Sequence, residues 1–424
     1  MKRKELTSKK AINYIMRIVH ITTIDEGGAY KAVVRIDRTL NNIGIDSDIL
    51  LRNKNNKDNV GNVYLNNIFT LFVSKVRNFV NLLSSKNEIA CERFGCDVSN
   101  HPLVTNANVI AIHWCSSFLS FASINKIIKL GKPVVFFMHD VWAYTGGCHV
   151  NLDCTKYANQ CCDCPLISGE KQNDLSFRNS LEKKQLFSAP NVYFVGPSNW
   201  IVDNAKRSCI LNGANIEYLP NCIDGDIFHD MHCKSSLRKK YSVPMDKKVI
   251  LFGAAFDGTA NKNKGFSYLI DALDYLDVDE YYLMIFGECN TKCFSWKQEY
   301  KLMGYIKSEY IMAELYNLAD VYVSPSLQES FGFTVCESLA CGTPVVAFPV
   351  GGLVEQIEHQ KNGYLAENFS SEDIAKGIVY CTDDNEQERL AKNASSTASK
   401  YYSTNLAKSY KTYFETLTDR RESK

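Results

Sequence analysis

The sequence contains no apolar run approaching the roughly 20 residues that a membrane-spanning helix needs, and its start, MKRKELTSKK, carries charge with no apolar stretch behind it. Neither a spanning segment nor a secretory leader is expected, and the reading places the protein in the cytoplasm. Charge of one sign is also missing. Forty-eight Lys and Arg face 47 Asp and Glu, a formal net charge of +1, so nothing favours nucleic acid as a partner. No repeat recurs at solenoid or propeller periods. The glycine turn after the first strand lacks the full GxGxxG pattern of a dinucleotide site. No DxD-type pair stands where a divalent ion would sit, so no catalytic metal is expected. Cysteine is plentiful, at 16 residues, but the residues are scattered, and a reducing compartment keeps thiols free, so a disulfide framework is not expected.

What is present is the composition of a globular protein, 45% hydrophobic and 22% charged, in a chain of 424 residues, long enough for two cores. After an extension over 1–15, β-branched runs alternate with amphipathic segments. The runs are MRIVHITT, VIAIHW (109–114), VVFFMHD (134–140) and VYFVGPS (192–198). Helical patterns lie around Ala32–Ile43, Phe118–Leu130 and Leu175–Phe187. Continuous apolar strands joined by crossover helices imply a parallel sheet, which predicts a first Rossmann-like α/β domain over 16–223. The polar stretch 224–247 reads as an interdomain linker. A second series, VILFGAA, YYLMIFGE, VYVSPS and PVVAF, predicts a second such domain over 248–400. The amphipathic tail carries Tyr401, Tyr402, Tyr410, Tyr413 and Phe414, which need covering, so 401–424 is expected to pack back on the first domain. The stretch Ile68–Leu83, with Lys75 and Arg77, fits either a core-facing helix, the favoured reading, or a peripheral membrane contact.

The strongest chemical signal is SPSLQESFGFTVCESLACGTPVVAF. A strand ends at Pro325, a loop carries Glu329 and Ser330, and a helix beginning near Phe331 carries Glu337. Free N–H groups at Phe331, Gly332 and Phe333 offer a site for an anion or for sugar hydroxyls, and the two carboxylates can accept hydrogen bonds from a polyol. Upstream, LFGAAFDGTANKNKGF places Lys262 and Lys264 at a helix start after a strand. Near the N-terminus, Gly27 and Gly28 form a turn that permits close backbone approach. His139 and Asp140 end the run VVFFMHD, where open parallel sheets bind ligands, with Trp142 and Tyr144 nearby to stack on a sugar ring.

Glu329, seven residues, then Glu337, with SFG after the first, resembles the signature of glycosyltransferase family 4, and the likeness extends over most of the chain. The resemblance implies the GT-B fold, two Rossmann-like domains whose parallel sheets face a deep cleft. It implies a retaining transfer from a nucleotide diphosphate sugar, UDP- or GDP-linked, to a saccharide or lipid-linked acceptor, in surface polysaccharide or lipopolysaccharide assembly. By position, Glu329 meets the donor sugar and Glu337 the ribose hydroxyls. Lys264 holds the diphosphate, and Lys262 replaces the arginine that the family carries where this chain has Ala254 and Ala255. Gly27 and Gly28 match the family's N-terminal glycine loop, and His139 and Asp140 its pair near the transferred sugar. A GT-B epimerase and a catalytically silent sugar-nucleotide-binding protein are the competing readings. The SFG block disfavours the first, and retention of Glu329 and Lys264 the second.

One loop stands apart, GGCHVNLDCTKYANQCCDCP. Cys148, Cys154, Cys161 and Cys164 can supply a tetrahedral thiolate site for structural zinc, which would staple a loop poor in apolar residues. Reduced thiols without metal are the equal alternative. Similar cysteine-rich loops follow the HD pair in some members of the family.

Overall fold

The apolar runs lie side by side as parallel strands, because a run with no polar face must be covered on both sides. The computed structural model describes residues 16–56, 59–64, 95–167, 172–254, 262–287 and 297–422. The expected extension over 1–15 and the amphipathic stretch 68–83 lie outside the described residues.

The first half comprises β1 (Arg17–Thr22), α1 (Gly27–Asn42), β2 (Asp46–Leu51), β3 (Asn62–Val63), α2 (Pro102–Asn106), β4 (Val109–Ile112), α3 (Phe121–Ile128), β5 (Val134–Phe137), α4 (Leu175–Phe187), β6 (Val192–Gly196), α5 (Asn199–Arg207) and β7 (Asn215–Tyr218). Its strand order is β3-β2-β1-β4-β5-β6-β7, all parallel. The second half comprises α6 (Lys234–Lys240), β8 (Lys248–Ala254), α7 (Phe266–Leu273), β9 (Tyr281–Gly287), β10 (Glu299–Gly304), α8 (Glu309–Leu318), β11 (Val321–Ser324), α9 (Phe333–Ala340), β12 (Val345–Ala347), β13 (Gly363–Leu365), α10 (Ser371–Cys381), α11 (Asp384–Ala398) and α12 (Ser403–Glu422). Its order is β10-β9-β8-β11-β12-β13, again parallel. Strand order reverses between β1 and β4 and between β8 and β11. The carboxyl ends at such reversals are where open sheets bind ligands.

Helix starts are fixed by local chemistry. Ser120, Asp174 and Ser198 each accept a hydrogen bond from an N–H in the first turn of α3, α4 and α5, satisfying donors that a helix leaves bare. The last helix behaves as its apolar spacing requires. Leu406, Tyr410, Tyr413, Phe414 and Leu417 pack on Ile18, Ile36, Val109, Val135 and Val195 of the first half. Each buried side chain of this size contributes about 1.5–3 kcal/mol, which holds α12 on the first sheet. The return is anchored where the chain passes twice between halves, by Ile223 N–H donating to Tyr401 O and Ser403 N–H to Ile223 O, both 2.9 Å.

The stretch 224–247 differs from the linker expected of it. Phe228, Leu237 and Val243 belong to the core of the second half, and Arg238 donates to the Leu318 carbonyl at 3.1 Å and pairs with Asp320. The pair Ile227 and Phe228, then Leu237 and Val243, fall among many charges without a regular period, so they escape a periodicity reading. The tail splits into α11 and α12 around residues 399–402 rather than running on. Among the described residues, no helix is long and apolar enough to cross a membrane.

Candidate active site

Two loops meet at the reversal of the second sheet. Leu327 N–H donates to Asn263 O at 2.8 Å, and Asn263 Nδ2 donates to Gln328 O at 3.0 Å. This seam sets Lys264 Nζ 3.0 Å from Glu329 Oε2. The side chains are 31% and 23% exposed, so both stay open to a ligand. Glu329 is gripped from behind. Its carbonyl accepts from Gly352 N–H at 2.9 Å, and a Cβ on Gly351 (φ +54) would fall 1.8 Å from that oxygen. Gly332 caps α9 with φ 86, a left-handed conformation that brings the bare N–H groups of the first turn alongside. Ser330 is partly exposed, whereas Phe331 is buried and rests edge-on against Phe333, their centroids 5.2 Å apart. Phe331 therefore offers a ligand its backbone only. Lys262 is exposed beside Lys264.

Glu337 points away from this opening. It is 1% exposed, paired at 2.6 Å with Arg35 Nη2, and receives the Tyr316 hydroxyl at 3.2 Å. Arg35, on α1 of the first half, also pairs with Glu309 at 2.7 Å and stacks over Phe333 at 4.8 Å. Burial works against the Arg35 charge, but Glu337 and Glu309 hold it firmly protonated, and burial is likewise outweighed at Glu309 by Arg35, which lowers that carboxyl. The Glu337 carboxylate is thus occupied by the Arg35 guanidinium and the Tyr316 hydroxyl. The sequence reading missed Arg35, whose one signal is a cation in an otherwise apolar helix stripe.

Gly27 and Gly28 open α1, and Gly27 has φ +82 with empty space where a Cβ would stand. Asp25 shapes this turn by accepting from the N–H groups of Asn55 and Asn56 at 2.8 and 2.9 Å. Burial opposes its charge, but these bonds and Asn59 hold its carboxyl low. Tyr305, from the second half, faces it. Burial raises the Tyr305 phenol, and the charges of Glu26 and Asp25 raise it further.

His139 and Asp140 follow β5 at the rim of the first sheet, both partly exposed. His149 Nδ1 lies 2.7 Å from Asp140 Oδ2, and Trp142 N–H donates to the same carboxylate at 2.8 Å. Burial would raise the Asp140 pKa, but His149 and this N–H bring it below its ordinary value. Trp142 and Tyr144 are not sugar platforms. They are 6% and 0% exposed, and Trp142 lies under Lys183 Nζ at 3.8 Å. Their spacing from the strand turns them into the first core instead.

The cysteine loop reaches across the cleft, where Asn151 and Leu152 N–H groups donate to Gln328 Oε1 at 3.3 and 2.7 Å. Cys148, Cys154, Cys161, Cys162 and Cys164 line a cavity of ≈ 20 Å³. Burial pushes the Cys148 thiol up to about 11 and Cys161 to about 12. Among the described residues, no group of three or more His, Cys, Asp or Glu is arranged to hold a metal ion. The expected four thiolates are thus gathered around one space without being closed on it, and Cys161 Sγ accepts from Gly146 N–H at 3.2 Å.

Residues 234–397 match the family Glycosyl transferases group 1. The matched segment holds Lys264, Glu329 and Glu337. An uncharacterized glycosyltransferase of Methanocaldococcus jannaschii is 33% identical over 186 residues, 41% of this chain and 46% of that protein. A D-inositol 3-phosphate glycosyltransferase of Xylanimonas cellulosilytica is 28% identical over 221 residues, covering 47% of this chain and 51% of its own length. The chain thus spans about half the length of these curated relatives. The structure of Anabaena HepE in complex with UDP-glucose superposes with a TM-score of 0.65 at 15% identity, covering 95% of this chain and 100% of that one. The fold is GT-B, two parallel Rossmann-like sheets, as this likeness shows.

Proposed function

We propose that the protein is a retaining glycosyltransferase that moves a sugar from a nucleotide diphosphate sugar to a saccharide or lipid-linked saccharide acceptor. The observation that carries this reading is the Lys264–Glu329 pair at 3.0 Å, set at the sheet reversal beside the open start of α9. A diphosphate draws Lys264 off Glu329, and the freed carboxylate accepts from the donor sugar's hydroxyls. Lys264, Lys262 and the N–H groups of Gly332 and Phe333 take up the charge that develops on the leaving diphosphate. The bond from the anomeric carbon to the phosphate oxygen breaks and the bond to the acceptor oxygen forms on the same face. The acceptor proton passes to the departing phosphate oxygen, so no enzyme nucleophile is required. UDP-glucose on a GT-B neighbour favours a uridine donor. Surface polysaccharide or lipopolysaccharide assembly is the setting we assign.

Thermal unfolding of the purified chain with UDP, GDP, ADP or no ligand tests this, since a ligand that binds only the folded state raises Tm. A rise with UDP or GDP is expected. No rise with any nucleotide, alone or with its glucose conjugate, would return the protein to the silent-binding reading.

A further inference from the structure

Three histidines line up across the first sheet. His20 lies in β1, His113 follows β4 and His139 follows β5, three neighbours in strand order. His20 Nδ1 is 2.8 Å from His113 Nε2, and His113 Nδ1 is 2.8 Å from His139 Nε2. His20 is 0% and His113 5% exposed, whereas His139 is partly open at the rim. At the inner end of the row, His20 Nε2 is buried with no hydrogen-bond partner. Neither His20 nor His113 was singled out in the sequence, where each is a lone polar residue in an apolar run.

Burial holds all three rings neutral, with the neighbouring rings adding to the penalty at His20 and His113. A neutral imidazole has one N–H and one lone pair. The two contacts are therefore satisfied by only two proton arrangements. If the rings donate inward, the last N–H falls on His20 Nε2, buried with nothing to receive it. If they donate outward, His20 Nδ1–H gives to His113, His113 Nδ1–H gives to His139 Nε2, and the His139 proton must sit on Nδ1. Only a bare lone pair then remains at His20. Orphaned buried N–H groups are the rarer defect, because the donor has given up water with no acceptor to replace it.

We propose that His113 is a positioning residue that fixes His139 as its Nδ1–H tautomer, so that the cleft meets a neutral hydrogen-bond donor. Its use rests on the transferase reading, in which this N–H serves a sugar or phosphate oxygen while the leaving phosphate takes the acceptor's proton. The tautomer itself does not rest on that reading.

The test is long-range proton–nitrogen correlation NMR on the full chain labelled with nitrogen-15 histidine at pH 7.5, with His139 assigned from a His139→Gln spectrum. Wild-type protein is expected to show His139 protonated on Nδ1. His113→Phe keeps a flat ring against Phe137 but removes both contacts, and the His139 signal is expected to move toward the Nε2–H form. His20→Phe leaves only a bare lone pair at His113 Nε2 and should preserve the wild-type tautomer, so a change confined to His113→Phe places the control in His113. If His113→Phe does not fold, the wild-type and His20→Phe spectra carry the test. An Nε2–H His139 in wild-type protein, or a tautomer indifferent to His113→Phe, overturns the proposal. Because no substrate is involved, these outcomes are separable from failure of the nucleotide to bind.

Discussion

At the scale of single residues, the cleft is described by who holds each carboxylate when no donor is present. Glu329 is held by Lys264 near solvent, and Glu337 by Arg35 out of it. The same residue type thus occupies two environments eight positions apart along the chain. Glu329→Ala is expected to reduce transfer to below about one hundredth of wild type, the scale of losing one preorganised polar contact in a transition state, with Tm within a few degrees of wild type. Wild-type turnover in that variant, measured with UDP-glucose or whichever donor shifts Tm, would remove Glu329 from the reaction. Glu329, Glu337 and Lys264 stood out in the sequence because they resemble a family signature. Arg35, His20 and His113 did not, since their contacts come from partners far away in sequence, such as Glu337 at a separation of 302 positions from Arg35.

At the scale of elements, strands buried on both faces were read nearly to the residue, and α4 fell on Leu175–Phe187 as its pattern indicated. Strands β2, β3, β7, β10 and β13 were passed over, because edge strands such as β7 and β10 are half exposed and lack a continuous apolar run. The cysteine loop gave up only its composition. Its thiols surround a small cavity, and its backbone is tied to the other half through Gln328. Our expectation is that zinc closes this set, displacing the thiol protons that burial now retains. Metal analysis after purification in zinc-supplemented medium should find about one equivalent per chain, lost in Cys154→Ser together with part of the thermal stability. Metal-free protein with the same Tm before and after chelation would leave the loop as reduced thiols.

At the scale of the whole molecule, the two halves are joined by polar contacts at several places. Asn199 N–H and Nδ2 donate to Glu355 at 2.7 and 3.0 Å, and Arg35 spans from α1 to Glu337 and Glu309. Removing one member of a buried ion pair costs up to about 3–5 kcal/mol, but here the cleft can admit water and blunt the loss. Arg35→Met is therefore expected to lower the ligand-free Tm while enlarging the rise that UDP produces, because Glu337 becomes available to ribose hydroxyls. Differential scanning fluorimetry with and without UDP reads both. An unchanged or smaller UDP-induced rise would mean that Arg35 does not compete with the nucleotide.

The position of α12 bears on how the protein is made. The face of β1, β4 and β5 that carries Ile18, Val109 and Val135 is covered by Leu406, Tyr410 and Phe414. A ribosome delivers those side chains only after the entire second half has been synthesised. The first half is thus completed by residues made after the second, and until they arrive part of its apolar sheet face stays uncovered, a surface of the kind chaperones shield from aggregation.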